Sequence, residues 1–129
     1  MEHVAAEGIS WERAPEQNFT GEVWFGSLAP PETPEALNTL AVMFTPGSRT
    51  AWHRHIAGQV LYVTGGAGIV ANDRGERVEM TAGDTVVVPA GELHWHGATP
   101  ASFMMHLSLT TGGPTEWVGG KVDGGDYGG

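Results

Sequence analysis

Polar and apolar residues alternate along much of this chain with a period near two, the period of a strand with one buried face. In "LNTLAVMFTPG", Leu40, Val42 and Phe44 fall on one face. In "SFMMHLSLTT", Met104, His106 and Ser108 share a face, and Phe103, Met105 and Leu107 share the other. "FTGEVWFGSL", Phe19 to Leu28, predicts a first strand, and "RTAWHRH" predicts another. "QVLYVTGGAGIVAND" predicts a pair of strands with a turn at Gly65-Gly66. Asn72-Asp73-Arg74-Gly75 predicts a hairpin turn, and "ERVEMTAGD" the return strand. "TVVVPAGELHWHG" predicts two short strands around Pro89-Ala90-Gly91, and "EWVGGKV" a last edge strand. No segment carries an apolar stripe at helical spacing. "APPETPEA" is too rich in proline for either regular element. Residues 1–18 lack periodicity and read as an irregular arm, and 123–129, "DGGDYGG", as a flexible tail. Short strands broken by turns at regular intervals define an all-β sandwich or barrel. No repeat or boundary divides residues 1–129, so one domain is expected.

Composition sharpens this picture. Twenty glycines and eight prolines supply the turns that many short strands need. The formal net charge is −9, from 15 acidic and 6 basic residues, which argues against nucleic acid and anionic membrane surfaces as partners. Without cysteine, neither a disulfide framework nor thiolate chemistry is available. No apolar run approaches the ~18 residues of a membrane-spanning helix. "MEHVAAEGIS" has neither the basic start nor the apolar run of a signal peptide, so a cytoplasmic protein is expected.

Candidate chemistry centres on "GSRTAWHRHIAGQ". His53 and His55 are two apart, so on a strand both imidazoles point one way and one ion can reach both. His94 lies in a separate strand-like segment, which an antiparallel barrel can bring alongside. Gln59 offers a neutral amide oxygen. Three imidazoles and an oxygen, with open positions left over, suit Mn, Fe, Ni, Cu or Zn.

These residues also carry a family resemblance. Gly47, His53, His55, Gln59 and Gly65-Gly66 match the first cupin motif, with Gln59 where an acid is expected. Gly83, Pro89, Gly91 and His94 match the second, with Ala98 where asparagine is frequent. Residues 40 to 110 thus resemble a small cupin. The resemblance implies a jelly-roll-like barrel of two antiparallel sheets with a metal inside its mouth. Glutamine in place of glutamate leaves a divalent ion its full charge, which favours anionic ligands at the open positions. "FTG", "AWHRH" with "GQ", "HWHGA" and His106 further resemble the bacterial cupin-type hydroxynitrile lyases. That likeness implies a lyase acting on cyanohydrins such as mandelonitrile, with manganese as the expected cofactor. Two other readings stay open: a quercetinase-like dioxygenase, and a non-catalytic cupin that binds a metal or small molecule.

The remaining polar candidates are read by strand face. His96, two residues after His94, faces inward as a base or as a hydrogen-bonded interior residue. His106 is a second candidate base if its face is inward. Thr50 precedes the ligands at strand spacing. Leu40, Val42, Phe44, Leu61 and Val63 are the expected apolar wall of a small-molecule pocket. Trp52 and Trp95 point to the opposite face and are expected to pack between sheets or subunits. Glu92 is expected to be solvated, and His3 incidental. Exposed barrel edges predict a homodimer or homotetramer.

Overall fold

The alternating segments become 12 antiparallel strands in the computed structural model, which describes residues 1–129. They are β1 (Trp11–Arg13), β2 (Phe19–Thr20), β3 (Val23–Ala29), β4 (Asn38–Phe44), β5 (Arg49–Thr50) and β6 (His53–Arg54). There follow β7 (Gln59–Asn72), β8 (Arg77–Thr81), β9 (Thr85–Val88), β10 (His94–Ala98), β11 (Met104–Thr110) and β12 (Glu116–Trp117). One sheet runs β1-β3-β4-β11-β7-β9. In the other, β10 lies between β7 and the short strands β5 and β6, whose outer neighbours are β2 and β12, and β8 flanks β7. The result is a curled, all-β barrel of two antiparallel sheets.

β7 belongs to both sheets. The sequence predicts a turn at Gly65-Gly66, but the strand runs through it. Its first half pairs with β11 and β9, its second with β10 and β8. A register shift opposite Met105/His106 bends the strand there. Gly66 has φ 73°, and a Cβ on it would overlap the Phe103 carbonyl oxygen. Glycine therefore allows the bend without ending the strand.

The core lies between the sheets. Val23, Phe44, Leu61, Val63, Met80 and Met104 are fully buried there, and Val42 packs with them. β11 alternates as expected: Met104, His106, Ser108 and Thr110 point inward. Behind the second sheet, Trp95, Ile69 and Val122 form a smaller apolar cluster joined by Trp52 and Tyr127.

Other segments also depart from the sequence reading, and the expected first strand, Phe19 to Leu28, breaks at Gly21-Glu22 into β2 and β3. The expected arm contributes β1, whose three residues pair with β3. Pairing at a sheet edge is decided by the partner strand, and "WER" carries no local signal for it. The tail expected to be flexible forms the short helix α1 (Gly124–Gly128), capped by the Asp123 side chain. Tyr127 holds it down, donating to the Ala98 carbonyl at 2.6 Å and lying under the Arg49 guanidinium. "RTAWHRH" is two two-residue strands, β5 and β6, broken at Ala51-Trp52. Asn72 closes the predicted hairpin turn, its Oδ1 accepting from the backbone N–H groups of Arg74 and Glu76.

Candidate metal centre

Antiparallel pairing brings the two histidine motifs together. His53 on β6 stands directly opposite His94 on β10, and their ring centroids are 4.3 Å apart. His96 follows two residues along β10, on the same face. The candidate ligand atoms of His53, His94 and His96 all lie within 4.8 Å of one another, and all three residues are buried. His55 comes just after β6, with its ring 5.2 Å from that of His53 and 5.9 Å from that of His94. Its backbone carbonyl accepts from the N–H groups of Gly58 and Gly91, which ties the two motif loops together. Gln59 opens β7, and its Oε1 is 2.9 Å from His94 Nε2.

The tautomers follow from the backbone. His53 Nδ1 donates to the Ala51 carbonyl and His94 Nδ1 to the Glu92 carbonyl, each at 2.9 Å. Each neutral ring then keeps its lone pair on Nε2, the atom metals take, and a backbone carbonyl is a usual outer partner for such a ligand. Burial lowers the pKa of His53, His94 and His96, and lowers that of His55 to about 4. The rings are therefore neutral near pH 7 and able to ligate.

Two observations test the fit to a cation. Both ring nitrogens of buried His55 lack a hydrogen-bond partner. Buried nitrogens without partners are costly unless something binds them. The Gln59 oxygen also faces a lone pair of His94, an arrangement of two acceptors that a positive ion between them relieves. Neutral imidazoles and an amide oxygen are the donor set of a borderline transition ion. The cluster fits a metal.

A second pair adjoins the cluster. His106 on β11 is completely buried, and its Nε2 lies 3.1 Å from His96 Nδ1. Burial lowers the His106 pKa to about 4. His106 Nδ1 has no partner. Thr50 Oγ1 accepts from the backbone N–H of His96, so the hydroxyl braces β10 beside the pair.

These groups border a cavity of about 220 Å³, lined by His53, His55, Gln59, His96 and His106. Leu40, Val42, Phe44 and Thr50 also line it. Leu61 and Val63 do not: both are fully buried in the core, because their side chains point between the sheets. His94 is not a lining residue and sits behind Gln59. Phe19, Phe25 and Trp117 complete an aromatic rim, in which Phe19 meets Trp117 edge-on at 5.5 Å. Sequence reasoning missed this rim, since its members come from three separate strands. Ser108 and Thr110 also reach the cavity, and continuing the His106 face by two and four residues would have found them.

Trp52 and Trp95 lie on the face opposite the cluster, as expected, but pack with Ile69, Val122 and Tyr127 behind the second sheet rather than between the sheets. Trp95 is buried and Trp52 packs beside it, behind the sheet. His3 is exposed at the terminus. Glu92, expected in solvent, instead meets Arg74 at 2.6 Å with a side chain only 16% exposed, because the β7–β8 turn folds over its loop.

Fold and cluster together define a small antiparallel barrel with an interior site able to hold a metal ion. Residues 40–108 match the cupin domain family, and the chain belongs to it. It is 41% identical over 97 residues to the (R)-mandelonitrile lyase of Granulicella tundricola, covering 75% of this chain and 74% of that one. Among solved structures, a cupin-like protein from Thermotoga maritima superposes with a TM-score of 0.84 at 35% identity, covering 89% of each chain. The polyketide cyclase RemF from Streptomyces resistomycificus shares the fold at 20% identity, with a TM-score of 0.77 and coverage of 98% of this chain and 90% of that one. No helix is long and apolar enough to cross a membrane.

Proposed function

We propose that this chain is a metal-dependent lyase that splits cyanohydrins such as mandelonitrile into an aldehyde and hydrogen cyanide. The observation that carries this reading is the buried His96–His106 pair, which lines an apolar-walled cavity together with the candidate ligands His53, His55 and Gln59. The 41% identity to a mandelonitrile lyase supports it independently.

A divalent ion held by His53, His55, His94 and the Gln59 oxygen, manganese being the expected one, supplies positive charge where negative charge develops in the reaction. The chain's own residues do the rest. Phe19, Phe25, Trp117, Leu40 and Val42 hold the aryl or alkyl group of the substrate and exclude water from it. His96 also lies within reach of the ligand cluster, but its hydrogen bond to His106 gives it an outlet for a proton that the ligands lack. His96 Nε2, free of partners, takes the hydroxyl proton as the bond between the carbinol carbon and the nitrile carbon breaks. His96 Nδ1 donates to His106 Nε2, which shares the positive charge. The C–C electron pair leaves with cyanide, the carbinol becomes an aldehyde, and the proton passes from the imidazolium to cyanide. Burial makes both rings weak bases, so the imidazolium gives the proton up readily.

The test is benzaldehyde release from mandelonitrile by manganese-loaded protein without oxygen, with a chelator-stripped sample as control. Metal-dependent release is expected. No release, with oxygen consumed on an enol substrate, would instead make the protein a dioxygenase. Neither activity in metal-loaded protein would leave a binding role.

A further inference from the structure

The Gln59 amide has two ends, and only one can serve a cation. Its Oε1 faces His94 Nε2 at 2.9 Å, while its Nε2 donates to Ser108 Oγ at 2.8 Å. Ser108 is buried and lies on β11, diagonal to Gln59 across the β7–β11 pair: Thr110 is the residue directly opposite Gln59, and Ser108 is two positions before it on the same face. Nδ1–H of His94 is committed to the Glu92 carbonyl, so a neutral His94 presents a lone pair to Gln59. Left to itself, the amide would turn over and donate its NH₂ group to that lone pair. The oxygen would then point away from the cluster. In the orientation seen, the far end is paired as well: the NH₂ group donates to the Ser108 hydroxyl, which accepts it.

We infer that Ser108 is a positioning residue for the metal centre: its hydroxyl accepts the Gln59 NH₂ and so holds the Gln59 oxygen toward the ion. This rests on the reading above that Gln59 is a ligand. A glutamate needs no such anchor, because its two oxygens are equivalent. The amide that replaces the usual acid in this motif therefore brings a requirement for an outer acceptor, and Ser108 meets it.

The test is calorimetric titration of Mn²⁺ into chelator-stripped protein, read as metal affinity. Ser108→Ala should weaken binding by about 10–100-fold, the usual effect of losing an outer partner of a ligand. Ser108→Thr, which keeps the hydroxyl, should restore most of it. In a Gln59→Glu background, Ser108→Ala should change affinity by no more than about twofold, the scatter of independent sites. A Gln59→Ala variant that binds Mn²⁺ as tightly as the parent would remove Gln59 from the ligand set, and this inference with it. A large loss in Gln59→Ala with none in Ser108→Ala would overturn the role of Ser108 while leaving Gln59 a ligand. An equal loss from Ser108→Ala in both backgrounds would make the effect one of packing and also overturn it.

Discussion

Two hydrogen bonds to backbone carbonyls settle which nitrogens of His53 and His94 face the cluster, and a third bond joins His96 to His106. The same residues are what a change of protonation or side chain will reveal. His106→Ala should cut mandelonitrile turnover by about 10²–10⁴, the usual contribution of a positioned acid–base group. Metal content should stay near normal, because His106 lies outside the ligand set; kcat and bound manganese measured together check both points. A large loss in His96→Ala alone would place the whole role on His96. The depressed pKa values also predict a pH dependence of stability. In metal-stripped protein, His55 and His106 titrate near 6.5 when unfolded and at about 4 when folded. Below pH 6.5 the unfolded chain binds more protons than the folded one, so stability falls as pH drops. The expected result is a constant midpoint above pH 7 and a progressive loss between pH 6.5 and 4, read by urea denaturation. A flat profile across that window would mean these rings are not buried neutral in the folded protein.

At the scale of elements, β7 holds the site together. Its first residue, Gln59, belongs to the cluster, and its last, Asn72, pairs with His94 at the other end of the same cluster's strand. The bend at Gly66 makes this double membership possible. Gly66→Ala should destabilise the protein by more than ~1 kcal/mol, since a Cβ meets both an unfavourable positive φ and the Phe103 carbonyl. A denaturant midpoint equal to that of the parent would contradict this. Gly75, also at positive φ but with open space around it, is the comparison site: alanine there meets the backbone penalty without the clash. The alternation of β4 and β11 was readable from the sequence, because one face of each is buried against the core. The ends of β7 were not, because Gly-Gly signals a turn locally and only pairing to two sheets shows that the strand continues. β1 was hard to read because three residues are too short to carry a period, whereas β12 falls within the edge strand expected at "EWVGGKV".

At the scale of the molecule, the charge distribution bears on assembly. The outer face of the first sheet presents Met43, Leu107, Leu109, Val60, Tyr62 and Val87, with Val87 68% and Tyr62 41% exposed. No charged residue interrupts this stretch of β4, β11, β7 and β9. In a chain of net charge −9, two copies repel over most of their surfaces, and an uncharged apolar face is where they can meet. The expected homodimer or homotetramer should therefore form through this sheet. Tyr62→Asp with Val87→Asp should shift the species seen by light scattering to a smaller one, with the circular dichroism of the barrel kept. An unchanged mass would place the contact elsewhere, and a parent that is already monomeric would remove it.

Taken alone, the sequence determined the features that depend on neighbours along the chain. Strand periodicity follows from burial of every second residue, and the motif spacings placed His53, His55, Gln59 and His94 on loops and strands that a barrel brings together. The acidic balance and the absence of cysteine are likewise properties of composition. Tertiary structure decided whatever depends on residues far apart in the chain. It drew His96 into the cluster through the β10–β6 pairing and linked it to His106 through the barrel interior. It sent Leu61 to the core, assembled the Phe19–Phe25–Trp117 rim from separate strands, and folded the tail onto Trp95. The physical reason is the same in each case. A side chain's face is set by the local backbone, whereas what lies opposite that face is set by strand pairing, which couples residues tens of positions apart and leaves no periodic trace in either segment.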